Sequence, residues 1–344
     1  MRRRVSQWVQ RTWYEGGIGY WLLLPLSGIY WAVAGSRKFL YRSGLLKTES
    51  AGVPVIVVGN LTAGGTGKTP VAAWLAQEFL QRGFSPGIVS RGYGGSKSSS
   101  PMRVDAASDP EVVGDEPVLL ARRCGCPVAV DRNRVRAARM LVESGVDLII
   151  ADDGLQHLRL ARSYEICVLD GKRWLGNQLL LPAGPLRETR RRLDSVDQVL
   201  VNGDLSEPGQ TAKEQNAIPF RLVASEVRRL NGSLTRAIDR FAGQKVHAAA
   251  AIGNPQRFFD MLRSQGIDVI EHAYPDHAPI PTGELNFDDG LQVLMTEKDA
   301  VKTGPRAGDR FWYVPVDIAV DPALAGPWLK QMEARMQHEA TNYD

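Results

Sequence analysis

A glycine-rich loop that ends in lysine and threonine is the part of the chain whose residue types and spacing most directly indicate chemistry. It follows the β-branched run Val53–Val58, precedes a stretch with apolar residues at helical spacing, and reads Gly-Asn-Leu-Thr-Ala-Gly-Gly-Thr-Gly-Lys-Thr (residues 59–69). Glycines let consecutive backbone N–H groups converge on phosphate oxygens, and the N-terminus of the following helix adds positive charge. Lys68 is expected to reach the β- and γ-phosphates, and the Thr69 hydroxyl to bind Mg²⁺. The loop predicts an ATP site formed by Thr62, Ala63, Gly64, Gly65, Thr66, Gly67, Lys68 and Thr69.

Two positions of this loop differ from related patterns. Thr62 stands six residues before the lysine, where the usual phosphate-binding loop has glycine, so we expect the three glycines that follow to provide the flexibility. Ala63 stands where one variant of the loop carries a second lysine, which disfavours a partitioning ATPase. The alternative, a glycine-rich turn that binds no ligand, fits the strand–loop–helix context poorly.

A pair of carboxylates follows a second apolar strand. The segment Asp147–Asp153 ends in Asp152 and Asp153, and in an open α/β sheet ligands bind at the carboxyl ends of the strands. We therefore expect these two side chains to contact Mg²⁺ directly or through water. A solvated turn is the competing interpretation.

The elements around these motifs alternate between strand and helix. Strands are expected at residues 86–90, 127–130, 166–170 and 198–202, with helices at residues 116–123 and 134–144 between them. This alternation predicts an α/β fold of the P-loop NTPase type, with a doubly wound, mostly parallel sheet. Further strands near residues 246–252, 293–296 and 311–316 predict a second, smaller α/β lobe.

The composition excludes several other classes of protein. The 344 residues are 44% hydrophobic and 23% charged, which is enough apolar material for a large core. Three cysteines argue against a disulfide-stapled secreted domain. The net charge of +4 permits an anionic partner, but the run Arg190–Arg192 has no aromatic platform beside it, so we expect no nucleic acid partner.

An uncharged N-terminal segment, residues 16–36, is long enough to cross a bilayer. It contains three early glycines and Pro25, has Trp and Tyr near both ends, and is flanked by basic residues on both sides. This pattern favours an apolar helix that lies in or dips into an anionic membrane surface. A buried helix and a signal peptide are the alternatives, and the segment's spanning of the membrane stays open.

Several further motifs, taken in order with the loop, resemble one family. They are Ser-Arg-Gly-Tyr-Gly (90–94), Gly-Asp-Glu-Pro (114–117), Asp-Asp-Gly-Leu-Gln-His (152–157), Leu-Pro-Ala-Gly-Pro-Leu-Arg-Glu (181–188), Ile-Gly-Asn-Pro-Gln-Arg-Phe-Phe (252–259), Asp-His (276–277) and Thr-Glu-Lys-Asp-Ala-Val-Lys (296–302). Together they resemble the tetraacyldisaccharide 4'-kinases, the lipid A 4'-kinases of Gram-negative envelope synthesis, over nearly the whole chain. The resemblance implies an ATP- and Mg²⁺-dependent lipid kinase at the cytoplasmic face of the inner membrane. Its glycolipid substrate would be a tetraacylated glucosamine disaccharide 1-phosphate, which accepts phosphate on its 4'-hydroxyl to give lipid IVA.

The same resemblance implies roles for individual residues. Asp115 is the family's candidate for the proton acceptor, with His277 as its partner and Lys68 as the third catalytic residue. Thr69 is the best metal ligand, and Glu116, Asp152 and Asp153 compete for the remaining metal contacts. The competing interpretations, from the residues alone, are a helix cap for Asp115 and a surface position for His277. The residues expected at the anionic acceptor are Arg91, Arg134, Arg187 and Glu15, with the role of Glu15 open.

The expected organisation has four segments. They are a membrane-associated N-terminal segment (1–50), a P-loop kinase core (51–203), a linker with connecting strands (204–245) and a C-terminal α/β lobe (246–344), in a monomer. Two other functions are compatible with the phosphate loop: a membrane-associated P-loop ATPase that switches conformation, and a P-loop ligase that acts on a soluble substrate. A switch needs no base for an acceptor sugar, and a ligase has little use for residues 16–36.

Overall fold

The structure is a computed structural model that describes residues 8–9, 11–16, 19–96, 98–204, 214, 216–276, 278, 280, 282–304, 309–341 and 343. Its helices are α1 (Tyr20–Arg42), α2 (Lys68–Gln81), α3 (Pro110–Val113), α4 (Asp115–Cys124), α5 (Arg134–Val142), α6 (Pro255–Ser264), α7 (Glu297–Thr303) and α8 (Pro322–Ala340). Its strands are β1 (Val55–Gly59), β2 (Pro86–Ser90), β3 (Met102–Val104), β4 (Val128–Val130), β5 (Leu148–Asp152), β6 (Tyr164–Asp170), β7 (Gln198–Asn202), β8 (Ile218–Val223), β9 (Glu226–Arg229), β10 (Thr235–Ala237), β11 (Lys245–Ala250), β12 (Asp268–Ala273), β13 (Gln292–Thr296), β14 (Phe311–Val314) and β15 (Asp317–Val320).

A nine-stranded sheet carries the predicted phosphate loop. The strand order is β15-β8-β7-β6-β1-β5-β2-β4-β3, and only the two edge strands run antiparallel to their neighbours. The central strands are rich in β-branched residues and buried on both faces, because helices cover both sides. The predicted doubly wound, mostly parallel α/β sheet is confirmed.

Parallel pairing brings the functional motifs to one edge of this sheet. β1 lies between β5 and β6, with Val58 opposite Asp152 in the register. The glycine loop after β1 and the carboxylates at the end of β5 are therefore neighbours. The ends of β2, β4, β6 and β7 reach the same edge, which places Arg91, Asp170 and Asn202 near it as well.

A six-stranded sheet with the order β10-β9-β14-β13-β11-β12 forms the second lobe. Its four later strands are parallel, and its core includes Phe259, Leu262, Leu294 and Trp312. The predicted second α/β lobe is therefore present.

Sheet membership differs from the expected segment boundaries at two places. β8 belongs to the first sheet, whereas β9 and β10 belong to the second. After β14 the chain returns to the first sheet, where β15 pairs with β8 and α8 packs on α2 through the stacked rings of Trp328 and Trp74. The last part of segment 246–344 therefore lies on the larger sheet, because Trp328, Leu329 and Met332 of α8 are buried in the core of that lobe.

Candidate active site

The glycine loop borders a cavity of about 400 Å³ between the two lobes. Two side-chain amides hold the loop from the protein side: Asn60 Nδ2 donates to the Gly64 carbonyl at 3.3 Å, and Asn202 Nδ2 donates to the Thr66 carbonyl at 3.1 Å. Tying these carbonyls back leaves the loop amides available to the cavity. The loop residues that border it are Gly64, Gly65, Thr66, Gly67, Lys68 and Thr69.

Thr62 and Ala63, which were expected to bind ATP, have a different environment. Thr62 is buried and forms an antiparallel bridge with Leu186, and the Ala63 amide donates to the Pro185 carbonyl at 2.8 Å. The Arg187 amide donates in turn to the Leu61 carbonyl at 2.7 Å. In this structure the two residues hold the 185–187 segment against the loop and do not border the cavity.

Lys68, Asp153 and Arg187 form an ionic cluster beside the loop. Lys68 Nζ lies 3.6 Å from Asp153 Oδ1, and Arg187 Nη1 lies 3.0 Å from Asp153 Oδ2. Burial by itself raises the pKa of Asp153, but Lys68, Arg187 and Arg134 outweigh it and hold that pKa well below its ordinary value. Asp153 is therefore a stable anion that orients two cations toward the cavity.

Asp152 is almost completely buried, with 1% of its surface exposed. Its Oδ2 accepts a hydrogen bond from the Thr69 hydroxyl at 3.4 Å, and its Oδ1 has no hydrogen-bond partner among the described residues. Burial, with the nearby carboxylates Glu116 and Asp153, raises the pKa of Asp152 to about 7. A buried carboxylate oxygen without a donor, next to a threonine hydroxyl, is the environment that a hard divalent cation favours.

Arg134 lies behind the two aspartates and does not border the cavity. It starts α5, whose first turn is capped by Asn133 Oδ1 accepting from the Val135 amide at 3.3 Å. Burial lowers the pKa of Arg134, and the charges of Asp153 and Asp152 oppose that effect. The positive charge of the Arg134 guanidinium thus offsets part of the negative charge of Asp152 and Asp153.

The turn that begins α4 places Glu116 at the cavity and buries the adjacent Asp115, which does not itself border the cavity. Gly114 has φ 93°, and a Cβ at this position would lie 2.7 Å from the Tyr93 carbonyl oxygen, so the turn requires glycine. Asp115 is 5% exposed, and its Oδ1 accepts from the Glu116 amide at 3.0 Å. Asp115 is thus a buried carboxylate in the first turn of α4, whose N-cap is Gly114.

Two lysines of α7, in the second lobe, meet these carboxylates. Lys302 Nζ lies 3.0 Å from Asp115 Oδ2, and Lys298 Nζ lies 2.9 Å from Glu116 Oε1. Burial acts to lower the pKa of Lys298, but Glu116, Asp115 and Asp276 outweigh it and hold the pKa above its ordinary value. The contact joins the two lobes with charged groups on both sides.

The second lobe also touches the loop itself. A Cβ on Gly253 would lie 2.6 Å from the Gly65 amide nitrogen, so the two backbones are in direct contact. Arg257 Nη2 lies 2.9 Å from Asp170 Oδ1 and donates to the Asn202 carbonyl at 3.2 Å. Because Asn202 also holds Thr66, this network links α6 to the phosphate loop.

Two expected site residues, Arg91 and Glu15, lie outside this cavity. Arg91 is exposed and lines a neighbouring cavity of about 180 Å³, together with Tyr93 and Arg132. Glu15 is exposed, and its carboxylate lies 3.8 Å from the Arg11 guanidinium. The prediction for His277 lies outside the described residues.

The N-terminal helix α1 has its polar contacts on the protein side. The Ser27 hydroxyl donates to the Leu180 carbonyl at 2.9 Å, the Tyr30 hydroxyl donates to the Arg187 carbonyl at 3.0 Å, and Lys38 Nζ lies 3.5 Å from Glu188. The opposite face exposes a stripe of large apolar side chains at helical spacing: Leu22, Leu26, Ile29 and Val33. Within the described ranges, no helix is both long and apolar enough to cross a bilayer.

Comparison with known proteins agrees with this geometry. A model of the family described as tetraacyldisaccharide-1-P 4'-kinase matches residues 19–333. The chain belongs to this family. The tetraacyldisaccharide 4'-kinase of Alkalilimnicola ehrlichii is 47% identical over 322 residues, which are 93% of this chain and 94% of that protein. That of Methylobacillus flagellatus is 44% identical over 343 residues, which are 98% and 100% of the two chains.

A solved structure supports the same assignment. The structure of LpxK from Aquifex aeolicus in complex with ATP is similar with a TM-score of 0.76 and 28% sequence identity, and the match covers 93% of this chain and 99% of that one. The fold of this chain is therefore that of the 4'-kinase family, and the chain is a kinase.

Four residues of the kinase's site had no role in the sequence interpretation: Lys298, Lys302, Arg257 and Asn202. A signal existed for the two lysines, since Thr-Glu-Lys-Asp-Ala-Val-Lys places them four residues apart and so on one face of a helix. Asn202 ends a predicted parallel strand, as Asp152 does. The partner of each residue is distant in sequence, which is why the pattern alone did not identify it.

Proposed function

We propose that this chain transfers the γ-phosphoryl group of ATP to the 4'-hydroxyl of a tetraacylated glucosamine disaccharide 1-phosphate, giving lipid IVA. The observation that carries the proposal is one cavity that is bordered by the phosphate loop and by the carboxylates Glu116 and Asp153. Arg187, which contacts Asp153, links this cavity to a helix with an exposed apolar face. A lipid kinase needs these parts together, because its phosphate donor is soluble and its acceptor is embedded in a membrane.

Phosphoryl transfer depends mainly on positioning and charge neutralisation. The amides of residues 64–69 and the N-terminus of α2 would bind the β- and γ-phosphates, with Lys68 as their main cation. Asp153 supports this arrangement, since its Oδ1 lies 3.6 Å from Lys68 Nζ and keeps the ammonium beside the loop.

The donor set of the site fits Mg²⁺. Asp152, whose Oδ1 has no hydrogen-bond partner in the part of the chain that the structure describes, and Thr69 would hold the ion. Asp153 and Glu116 are engaged by cations in this structure. When bound, the ion would neutralise charge on the β- and γ-phosphates. Arg134, buried behind both aspartates, would balance the negative charge of Asp152 and Asp153.

Asp115 would accept the proton of the 4'-hydroxyl, with His277 as its partner. Two neighbours of Asp115 support the role: Glu116, which follows it in the chain, and Lys298, whose Nζ lies 3.9 Å from Asp115 Oδ2, both border the cavity. A general base must come within hydrogen-bond reach of the attacking hydroxyl. Approach of the two lobes would complete the acid–base pair and exclude water. The predicted kinase core (51–203), linker (204–245) and C-terminal lobe (246–344) are proposed as the moving parts.

The acceptor's anionic groups would be bound by Arg91 and Arg187, with Glu15 near the sugar, whereas the buried Arg134, which was also expected there, does not border the cavity and would act on the two aspartates instead. Arg187 has the strongest support, since its side chain contacts Asp153 and its carbonyl accepts from Tyr30 of α1. Arg91 would serve a more distant part of the glycolipid, because it lines the adjacent cavity. Guanidinium groups suit this purpose because they bind phosphate through two hydrogen bonds.

Helix α1 would rest on the cytoplasmic face of the inner membrane, and the protein would act as a monomer. The apolar stripe would enter the acyl region of the lipid, and the basic residues Arg37 and Arg42 would meet anionic headgroups. Because α1 is bonded to the residue 180–188 segment, this orientation would hold the ATP site at the height of the lipid headgroups.

The test combines the purified kinase with ATP, Mg²⁺ and the disaccharide lipid in mixed micelles, and measures the new phosphate ester. We expect transfer by the wild type and severe losses in Lys68→Ala and Asp115→Asn, with Lys330→Ala on the exposed side of α8 as the matched control. Release of inorganic phosphate without a phosphorylated lipid would refute the proposal and favour an ATPase switch. An active Asp115→Asn would remove Asp115 from the base role and leave the kinase function standing.

A further inference from the structure

The side chain of Lys298 occupies an unusual position for a residue of the second lobe. Its ammonium lies 2.9 Å from Glu116 Oε1, 3.9 Å from Asp115 Oδ2 and 3.9 Å from Asp276 Oδ1. It borders the same cavity as the phosphate loop and Lys68, and its side chain is 16% exposed. One cation is therefore held among three carboxylates at the junction of the lobes.

The geometry of the transfer locates this ammonium relative to the reacting atoms. The γ-phosphorus must lie between the loop that binds ATP and the hydroxyl whose proton Asp115 accepts. A group 3.9 Å from Asp115 Oδ2 that also borders the cavity is next to this path. The charge on the transferring phosphoryl spreads over its equatorial oxygens, and a desolvated cation beside it stabilises the transition state strongly.

Building on the proposed function, we propose that Lys298 is a further catalytic residue, whose ammonium moves from Glu116 to the transferring phosphoryl group when ATP and acceptor are bound. During the step, the bond between the 4'-oxygen and the γ-phosphorus forms and the bond between that phosphorus and the β-bridging oxygen breaks. The hydroxyl proton passes to Asp115. Lys298 remains an ammonium throughout and transfers no proton.

Lys302 has a different role in this arrangement. Its ammonium lies 3.0 Å from Asp115 Oδ2, but it does not border the cavity. It is a positioning residue that orients the carboxylate of Asp115. The two lysines are thus matched in type and helix, and they differ in access to the phosphoryl group, so that Lys302 is the appropriate comparison for Lys298.

The first experiment measures kcat and KM for Lys298→Met, Lys298→Arg and wild type. We expect kcat to fall about 100-fold or more in Lys298→Met, the size of effect found when a preorganised charge at a transition state is removed. Lys298→Arg keeps the charge and should recover at least about a tenth of the wild-type kcat. A kcat within about threefold of wild type in Lys298→Met would overturn the proposal.

The second experiment measures binding without turnover, by calorimetry with ADP and Mg²⁺ in the presence and absence of aluminium fluoride. The fluoride complex imitates the transferring phosphoryl, so Lys298→Met should bind it at least about 30-fold more weakly than wild type, with ADP affinity within about threefold. Lys302→Met should keep the wild-type ratio of the two affinities. Equal weakening of both ligands in Lys298→Met would show a structural role and overturn the proposal.

These outcomes are separate from the proposed function. If the wild type phosphorylates no disaccharide, the function fails, whereas the ratio of the two affinities still reports whether Lys298 contacts a γ-phosphoryl mimic. If the wild type is active and the ratio is unchanged in Lys298→Met, only the inference about Lys298 fails.

Discussion

The exposed apolar stripe of α1 leads to a quantitative prediction about membrane binding. Replacing Leu22 and Ile29 with glutamine changes two side chains that are 80% and 62% exposed. Glutamine is a good helix former, so the helix and its polar contacts through Ser27 and Tyr30 should be retained. The double variant thus removes the surface offered to lipid without removing the helix.

The exposed fractions set the size of the effect. Full burial of a leucine or isoleucine side chain contributes about 1.5–3 kcal/mol, so entry of these two exposed surfaces into lipid contributes about 2–4 kcal/mol. Since about 1.4 kcal/mol corresponds to tenfold in an equilibrium constant, the variant should partition onto vesicles roughly 30- to 700-fold more weakly.

Sedimentation with vesicles that contain anionic lipid measures the partition coefficient of the protein between water and membrane. Leu324→Gln is the matched control, since this leucine is 45% exposed at the start of α8, away from α1, and should leave partitioning unchanged. In micelles the double variant should keep its KM for ATP, because Ser27, Tyr30 and Lys38, which hold α1 to the 180–188 segment, are unchanged. Partitioning within about threefold of wild type would refute the orientation of α1 that we derive from its polar and apolar faces.

Three further predictions concern the site and its support. In Gly253→Ala the new Cβ would lie 2.6 Å from the Gly65 amide nitrogen, so the affinity for ATP, measured by calorimetry, should fall at least about tenfold. The control Gly326→Ala, which has open space at its Cβ, should bind ATP as the wild type does. Equal ATP affinities of Gly253→Ala and wild type would contradict the backbone contact. Burial and nearby arginines lower the pKa of His157 from 6.5 to about 3 in the folded protein. As the pH falls below about 6.5, His157 therefore becomes protonated in the unfolded chain but stays neutral in the folded one, which lowers the free energy of unfolding. In urea unfolding, this effect should lower the wild type's free energy of unfolding by about 2–3 kcal/mol between pH 7 and pH 4, after allowance for partial exposure of the ring. His157→Gln should lack this part of the pH dependence. An unchanged pH dependence in the variant would argue against a neutral, partly buried ring. Trp328→Phe removes the indole N–H that donates to the buried Tyr164 hydroxyl at 2.9 Å, which should lower the free energy of unfolding in denaturant by about 1–3 kcal/mol. Adding Tyr164→Phe to this variant should recover part of the lost stability. Strictly additive effects of the two substitutions would count against the hydrogen bond.

Local sequence was sufficient for most of the fold. The runs at residues 86–90 and 198–202 form strands with the predicted bounds, and the helix after the glycine loop begins at Lys68 as the loop requires. Buried parallel strands are read easily because both faces are apolar and the residues are β-branched. The return of β15 and α8 to the first sheet was not predicted, because pairing between Asp317–Val320 and β8 is a contact over long sequence distance that no local pattern encodes.

Within the site, the glycine loop and the Asp152–Asp153 pair could be identified by sequence alone. Their chemistry depends on short spacing along the chain and on the shared carboxyl edge of parallel strands, which follow from local rules. The environment of each group could not be identified in this way. Asp152 and Asp153 are adjacent in sequence, yet burial raises the pKa of one, whereas the cations Lys68 and Arg187 lower that of the other.

The amino-acid sequence by itself determined which residues form the proposed phosphate-binding loop, because backbone amides, a lysine and a hydroxyl are presented within one loop and one helical turn. Only the tertiary structure decided which cations face the carboxylates of α4, since Lys298 and Lys302 reach Asp115 and Glu116 across the junction of two lobes. It also decided that α1 turns its polar side chains inward and its apolar ones outward, which is the reverse of a helix in a soluble core. The physical reason is the same in both cases. Burial and electrostatic energy depend on which residues are close in three dimensions, and those neighbours are distant in sequence, so a local sequence pattern does not specify them.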